Sequence, residues 1–253
     1  MDERFSRIGL LLGTEGAAHL TQASVAVAGL GAVGSYAVEA LARAGIGRLV
    51  LCDFDIIRPS NINRQLYALD NTLGMRKCDA ARERVALINP RCRVEALPLF
   101  IDERSIAEVL SRNVDLVIDA IDSLNPKTDL IASVRQSGIP LISSMGAALR
   151  RDPACVRTGP LAQVRNCPLA RVLRRRLRRR GIPLDFTCVY STELITSSKS
   201  RHIENGSPEE QYYKRGRVRS TLGSLPTITG IFGLTAANIA LEILAFPRKN
   251  GFL

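Results

Sequence analysis

The sequence lacks several patterns that mark specialised classes of protein. None of its six cysteines lies in a C-x-x-C pair, so neither a Cys₄ zinc site nor a redox dithiol is indicated. The opening Met1 to Arg7 is charged and no apolar segment follows it before Gly9. We therefore expect no secretory signal, reduced thiols and a cytoplasmic location. With 46% hydrophobic and 23% charged residues over 253 positions, the composition excludes disorder, collagen and coiled coil.

Long uninterrupted apolar runs are also missing. The longest apolar stretch, residues 225–246, is broken by Pro226, Gly230, Asn238 and Glu242. A membrane-spanning helix needs about 20 nearly uninterrupted apolar residues. We therefore predict a helix that is buried or packed against a partner, and peripheral membrane association is the less favoured alternative.

Acidic residues are scarce in the last part of the chain. Residues 1–150 contain 17 basic and 17 acidic residues, whereas residues 151–253 contain 18 and 7, so the whole net charge of +11 lies there. This asymmetry predicts contact with a polyanion, nucleic acid first and an anionic membrane second. A predicted helix over residues 169–180 holds the candidate contacts, and its alternative is a helix merely solubilised by arginine. The seven candidates are Arg171, Arg174, Arg175, Arg176, Arg178, Arg179 and Arg180.

Short apolar runs alternate with helical patterns from residue 24 to residue 144. The predicted strands are Ser24 to Ala28, Arg48 to Cys52, Arg93 to Leu97, Asp115 to Ala120 and Pro140 to Ser144, with helices between them. Such alternation predicts an α/β fold with a Rossmann-like, doubly wound, mostly parallel sheet. Residues 151–253 would be a basic C-terminal extension, and their polar segment at about 197–220 predicts a mobile loop.

A glycine-rich turn follows the first strand. Gly29, Gly31 and Gly34 form the pattern G-L-G-A-V-G, which lets the backbone and the next helix N-terminus approach a phosphate. Asp53 ends the second strand, 19 residues after Gly34, where a carboxylate would accept hydrogen bonds from a ribose. These features predict a nucleotide site, and an NAD-dependent dehydrogenase is the first hypothesis to test.

The segment after Asp53 argues against hydride transfer because it is rich in charged and amide side chains. It carries Asp55, Asn63 and Arg64, and Lys77 follows at a predicted helix start. An arginine and a lysine that converge on a triphosphate would neutralise charge on phosphorus and on departing pyrophosphate, which indicates nucleotidyl transfer. Each has an alternative: Lys77 as a solvated helix-end residue, and Arg64 as a surface partner of Asp70.

Two carboxylates follow the fourth strand. Asp119 and Asp122 lie where the carboxyl ends of parallel strands meet a ligand, and Mg²⁺ prefers one or two carboxylates plus phosphate oxygens. Asp122 is the metal candidate, while Asp119 is expected to face the sheet edge or a backbone N–H. The alternative is helix N-capping by Asp122 and Ser123.

In this order and spacing the motifs resemble the ThiF/MoeB-type adenylating family, which includes ubiquitin-activating enzymes and sulfur-carrier adenylyltransferases. The resemblance is carried by G-L-G-A-V-G, D-F-D, N-I-N-R-Q, Lys77 and D-A-I-D-S. The phrases IPLISSMGAALRRDP, LARVLRRRLRRRGI and VYSTE narrow it to the branch of tRNA threonylcarbamoyladenosine dehydratases. The similarity covers nearly the whole chain.

The resemblance implies ATP and Mg²⁺ as cofactors and an adenylation core over residues 1–150. The phosphate turn, the ribose-binding Asp53 and the Mg²⁺-binding Asp122 would hold ATP, with Asp55, Asn63, Arg64 and Lys77 around the triphosphate. Arg64, Lys77 and Asp122 would be the catalytic residues. Arg7 matches an arginine that reaches the ATP of the neighbouring subunit, so the resemblance implies a homodimer.

The implied reaction is ATP-dependent cyclisation of threonylcarbamoyladenosine in a tRNA anticodon loop through an acyl adenylate. It needs no enzyme nucleophile, so Cys188 is expected to be a core residue rather than a thiol intermediate. The main competitor is an adenylyltransferase for a carrier-protein tail, against which stand the absent zinc motif and the basic second part. A noncatalytic nucleotide-binding module is a third hypothesis. A cysteine desulfurase or a sulfur acceptor stays open as a partner.

Overall fold

A computed structural model describes residues 2–195 and 222–247. The predicted mobile loop at 197–220, with its basic run Lys214 to Arg219, lies outside the described residues. Seven α-helices are described: α1 (Ser6–Gln22), α2 (Gly34–Arg43), α3 (Lys77–Ile88), α4 (Glu103–Leu110), α5 (Leu124–Ser137), α6 (Pro168–Arg179) and α7 (Pro226–Ala245). Seven strands are described: β1 (Ser24–Ala28), β2 (Arg48–Cys52), β3 (Arg93–Leu97), β4 (Leu116–Asp119), β5 (Leu141–Ser144), β6 (Val156–Pro160) and β7 (Thr187–Ser191).

The seven strands form one sheet in the order β3-β2-β1-β4-β5-β7-β6. Every neighbouring pair is parallel except β6 and β7, which are antiparallel. The predicted Rossmann-like, mostly parallel sheet is therefore confirmed. The strand order reverses direction between β1 and β4, and ligands of open α/β sheets bind outside the carboxyl ends of the strands at such a point.

Helices cover both faces of the sheet, since alternate side chains of each strand point to opposite sides. Val25, Val27 and Leu51 pack on the side of α1, α2, α3 and α7. Ala26 and Val50 pack on the side of α4, α5 and α6. Because both faces are buried, β1 reads as a continuous apolar run rather than an alternating one.

The apolar C-terminal stretch forms α7, which packs closely on α2. A Cβ added at Gly233 would lie 2.3 Å from the Val33 carbonyl oxygen, so glycine allows the two helices to touch. Among the described helices, α7 alone is long and apolar enough to cross a membrane, yet half of its most apolar window is buried in the protein. This burial agrees with the predicted packed helix.

Helix α1 is absent from the sequence-based expectations, which begin with β1. Its pattern is interrupted at Gly13, whose φ of 78° bends the helix. Leu10 and Leu11 are 86% and 80% exposed, so its apolar residues do not repeat along one buried face. Tertiary packing on α7 defines this helix: the His19 ring nitrogen Nδ1 lies 2.9 Å from the Ala245 carbonyl oxygen.

Candidate active site

The phosphate turn between β1 and α2 depends on two glycines for its shape. Gly29 has a φ of 89°, and a Cβ there would lie 2.8 Å from the Ala120 carbonyl oxygen at the end of β4. A Cβ at Gly34 would lie 1.8 Å from the Gly29 carbonyl oxygen. Neither position accepts another side chain without a backbone shift. The turn is therefore pressed against β4.

Gly31 differs because protein contacts do not require a glycine there. A Cβ at Gly31 would meet only the Gln65 side-chain nitrogen, at 3.7 Å, and Gly31 has no positive φ. The space next to its Cα is therefore open to a ligand. Close approach by a phosphate accounts for a glycine that the fold itself does not need.

Asp53 ties the phosphate turn to β2. One carboxylate oxygen accepts a 2.7 Å hydrogen bond from the Leu30 backbone N–H, and the other accepts one of 2.9 Å from the Asp55 N–H. Asp53 is buried, and burial raises the pKa of its carboxyl while the nearby Lys77 opposes the rise. Each carboxylate oxygen has a second lone pair, so the contacts leave acceptor capacity for ribose hydroxyls.

Lys77 is a buried member of the site. Its side chain is 7% exposed, and its Nζ lies 3.0 Å from the Asp55 carboxylate. Its backbone N–H also donates to the Asp55 carbonyl oxygen. The alternative of a solvated helix-end residue is therefore wrong, because the start of α3 is folded back against the segment after β2. The Lys77 ammonium and the Asp55 carboxylate therefore form an ion pair next to Asp53.

Arg64 and Asn63 lie on the exposed side of the same segment. The Arg64 guanidinium donates to the Ser60 carbonyl oxygen at 2.8 Å and to the Asn63 side-chain oxygen at 2.7 Å. The proposed pairing of Arg64 with Asp70 does not occur among the contacts of the described residues. Gln65, the residue after Arg64, is buried and faces Gly31 in the phosphate turn. Arg64 is therefore at the rim of the phosphate site.

Two polar residues that sequence reasoning missed attach this segment to the phosphate turn. The Ser35 hydroxyl accepts a 3.1 Å hydrogen bond from the Leu66 N–H, and the Tyr67 hydroxyl donates to the Ser35 carbonyl oxygen at 3.0 Å. Ser35 is fully buried. A serine directly after the third glycine of the phosphate turn, at the start of the predicted helix, is the signal that could have revealed it.

A fully buried ion pair lies beneath the loop that follows β4. Lys127 and Asp119 are both 0% exposed, with 2.7 Å between Nζ and the carboxylate. Asp119 also accepts hydrogen bonds from the Ile121 N–H and the Ser143 hydroxyl. Lys127 donates to the Ile121 carbonyl oxygen at 3.0 Å. The expectation that Asp119 faces a backbone N–H is confirmed, and Lys127 is a residue that the sequence alone did not indicate.

Asp122 is exposed at this edge of the sheet, one residue beyond the loop that the buried pair holds. Ser123 is the N-cap residue of α5, and its side chain makes no capping hydrogen bond. Within residues 2–195 and 222–247, no group of three or more His, Cys, Asp or Glu side chains could hold a metal ion. A single carboxylate fits Mg²⁺ only when phosphate oxygens supply further ligands.

The structure does not bring Arg7 to the site of its own chain. Arg7 is exposed near the start of α1, two residues after Phe5, whose ring would lie 3.2 Å from a Cβ at Gly45. Gly45 precedes β2, so this end of α1 is at the amino ends of the strands. The phosphate turn lies at the opposite, carboxyl ends of the strands. A five-residue strand is about 17 Å long, so the start of α1 is about that far from the turn.

The seven arginines of the basic helix divide into two groups. Arg174 donates to the Leu161 and Val164 carbonyl oxygens, Arg176 to the Asn125 side chain, and Arg180 pairs with Asp129 at 2.7 Å. The other four line a shallow groove of about 660 Å³ together with Val172: Arg171, Arg175, Arg178 and Arg179. The prediction treated all seven alike, whereas three of them have partners within the protein.

Cys188 is fully buried in β7, and burial strongly raises the pKa of its thiol. A neutral, inaccessible thiol is a poor nucleophile, which agrees with the expected core role. Burial also raises the pKa of Cys78 and of Cys92 to about 12.

Comparisons with known proteins agree with this geometry. The ThiF family model matches residues 5–251. The tRNA threonylcarbamoyladenosine dehydratase of Bacillus subtilis is 37% identical over 245 residues, which are 96% of each chain. The structure of the Escherichia coli tRNA N6-threonylcarbamoyladenosine dehydratase in complex with ATP superposes with a TM-score of 0.84 at 34% identity, covering 98% of this chain and 97% of that one.

A second group of relatives matches only part of the chain. The molybdopterin-synthase adenylyltransferase of Salmonella typhimurium is 36% identical over 151 residues, which are 59% of each chain. The resemblance inferred from the motifs is confirmed by the match over nearly all of the chain. The chain belongs to the ThiF family.

Proposed function

We propose that this protein is an ATP-dependent enzyme that dehydrates threonylcarbamoyladenosine in tRNA to its cyclic hydantoin form. The observation that carries the proposal is the similarity to named dehydratases over 96% of the chain, including the basic helix α6. The adenylyltransferase relative matches 59% of the chain. Residues 1–150 would be the adenylation core, and residues 151–253 would be the basic part of the same domain.

The phosphate turn, the segment after β2 and the start of α3 would hold ATP. Gly31 leaves the space that a phosphate needs, and Asp53 would accept hydrogen bonds from the ribose. The Lys77 ammonium, already paired with Asp55, would turn toward phosphate oxygens as negative charge builds up on them. Asn63 and Arg64 would close the rim, with the guanidinium exchanging its contact to Ser60 for the triphosphate.

The reaction would take place between groups of the substrates. A carboxylate oxygen of the threonine attacks the α-phosphorus of ATP, and pyrophosphate leaves. The carbamoyl nitrogen then attacks the activated carbonyl carbon, loses its proton, and AMP leaves with the carboxylate oxygen. The net change in the nucleoside is the loss of one water. Positioning and charge stabilisation would be the contribution of Arg64, Lys77 and Asp122.

Asp122 would be the protein ligand of Mg²⁺. Its exposure at the carboxyl edge of the sheet and the ion pair that holds the preceding loop support this assignment. When bound, Mg²⁺ neutralises charge on phosphate oxygens.

The groove on α6 would contact the tRNA. Its four arginines repeat at helical spacing, and guanidinium groups bind phosphates with little regard to sequence. A second groove of about 550 Å³ is lined by Arg165, Arg174 and Tyr190 among others. A tRNA substrate supports the expected cytoplasmic location.

The exposed start of α1 supports a homodimer. Leu10 and Leu11 are strongly exposed apolar residues, and Arg7 lies one helical turn before them. A second copy that covers the leucines would remove apolar surface from water. Arg7 would then reach the ATP of the neighbouring chain. A cysteine desulfurase or sulfur acceptor stays a prediction from the resemblance, as does membrane association as the less favoured alternative.

The test is mass spectrometry of nucleosides from threonylcarbamoyladenosine-bearing tRNA incubated with the protein, ATP and Mg²⁺. The expected result is ATP-dependent loss of one water from that nucleoside. Lys77→Ala should abolish it, whereas Arg82→Ala, on the exposed side of the same helix, should not. No change despite ATP binding would refute the proposal and favour the carrier-tail adenylyltransferase, which ATP–pyrophosphate exchange with a Gly-Gly-ending peptide would reveal.

A further inference from the structure

Arg150 lies in the loop between β5 and β6 and is 1% exposed, which is unusual for an arginine. The loop is anchored on both sides of it. The Leu149 N–H donates to the Gly223 carbonyl oxygen, and the N–H groups of the next two residues, 151 and 152, both donate to the Glu193 carboxylate. Leu149 itself has a φ of 64°, a left-handed conformation that strains a branched side chain.

The guanidinium of Arg150 is only partly satisfied. Its Nη2 donates to the Asn166 carbonyl oxygen at 2.5 Å. Its Nε and Nη1 are buried and have no hydrogen-bond partner among the residues described. Burial lowers the pKa of Arg150, but a guanidinium remains charged at neutral pH. Unpaired donors of a buried cation are costly for a fold, so their retention needs an explanation.

The position of the Arg150 guanidinium explains why its unpaired donors are retained. Asn166 and Cys167 immediately precede α6, Cys167 is the N-cap residue, and its thiol interacts with Arg150. The two unpaired donors are therefore next to the N-terminus of a 12-residue helix, whose dipole favours an anion. Pro168 has no N–H and the Ala170 N–H already donates to the Cys167 thiol, so the guanidinium would supply most of the hydrogen bonds. The loop after β5 neighbours the loop after β4, which carries Asp122, because β4 and β5 are adjacent and parallel. Arg150 therefore lies in the loop next to the one that carries Asp122, and its guanidinium contacts the segment that leads into α6.

We propose that Arg150 and the N-terminus of α6 bind one oxyanion of the RNA substrate. The proposal rests on the proposed function and adds a substrate-binding residue to it. The oxyanion is either a backbone phosphate next to the modified nucleotide or the carboxylate of its threonyl group, and both accept hydrogen bonds from Nε and Nη1. Both nitrogens are covered in the chain alone, so binding would require the loop around Leu149 to shift and uncover them.

The test compares Arg150→Met and Arg150→Gln with the wild-type protein. Neither variant buries a cation, so both should unfold at a temperature equal to or above that of the wild type. Binding of an anticodon stem-loop with threonylcarbamoyladenosine should weaken roughly 10- to 100-fold, as expected for hydrogen bonds to a charged group. ATP affinity should not change. Arg82→Met controls for the loss of one positive charge.

An unmodified stem-loop distinguishes the two sources of the oxyanion. Equal weakening with both RNAs assigns the site to a phosphate, and weakening only with the modified RNA assigns it to the carboxylate. Wild-type affinity in Arg150→Gln would overturn the proposal. Loss of folding in both variants would also overturn it, by giving the guanidinium a structural role. Wild-type protein that binds RNA but removes no water would instead refute the proposed function.

Discussion

Replacing Lys127 by methionine is a stringent test of how the edge of the sheet is built. Lys127 and Asp119 are fully buried and 2.7 Å apart, and Lys127 also holds the Ile121 carbonyl oxygen. Removing one partner of a buried pair leaves an uncompensated charge and costs about 3–5 kcal/mol. That is a large share of the about 5–15 kcal/mol by which domains are stable. We expect Lys127→Met to lower the free energy of unfolding by this amount in urea titrations.

The double variant Lys127→Met with Asp119→Asn separates charge from packing. The amide removes the stranded charge, its oxygen can still accept from the Ile121 N–H, and its NH₂ group can donate to the Ser143 hydroxyl oxygen, so the double variant should be more stable than either single one. Arg135→Met on the same helix is the control, because the Asp185 partner of Arg135 is 58% exposed and such pairs contribute about 0–1 kcal/mol. Equal small losses of stability for Lys127→Met and Arg135→Met would show that the buried ion pair does not stabilise this edge of the sheet.

Three further predictions follow from the same contacts. Gly34→Ala should impair folding, because its Cβ would lie 1.8 Å from the Gly29 carbonyl oxygen. Gly31→Ala should fold normally but bind ATP more weakly in calorimetry, because its Cβ would occupy the space proposed for a phosphate. Normal ATP binding by Gly31→Ala would contradict the placement of a phosphate next to Gly31. Burial alone would raise the pKa of Glu39, but hydrogen bonds from two arginines lower it below 4.5. Glu39→Gln should therefore be less stable than wild type at pH 7. The difference should begin to shrink below about pH 4.5 and disappear as the pH falls through the lower pKa of the folded protein, because the depressed carboxyl stabilises only while ionised. A difference that does not shrink below pH 4.5 would exclude this cause. Arg175→Ala should weaken tRNA binding and lower by about 1 the slope of the logarithm of the binding constant against the logarithm of the salt concentration. Arg180→Ala should change that slope less, because the Arg180 guanidinium pairs with Asp129 within the protein. Equal slopes for the two variants in filter-binding assays would contradict the division of the arginines into two groups.

Much of the nucleotide site could be predicted because its residues follow strands directly. Gly29, Asp53 and Asp122 each come after a predicted strand, and the carboxyl ends of parallel strands meet at one edge. Lys77 is the first residue of α3, as the predicted helix start requires. Local pattern therefore placed these residues near one another, although it could not show that Lys77 is buried against Asp55.

Other features depend on contacts between segments that are distant in the chain. The partners of the α6 arginines lie on α5 and on the segment before α6, so an exposed and a paired arginine look the same in sequence. Helix α1 has no clear apolar face, and the packing of its second half on α7 defines it. The unpaired donors of Arg150 likewise become visible only when Asn166 and α6 are in place.

The βα alternation, the glycine turn and the family could be inferred from the sequence, because strand period, helix start signals and backbone freedom at glycine are local properties of the chain. The three-dimensional packing determines which charges are buried, which are paired and which are left for a ligand. Those outcomes depend on desolvation and on distances across the fold, and neither is encoded in any one segment.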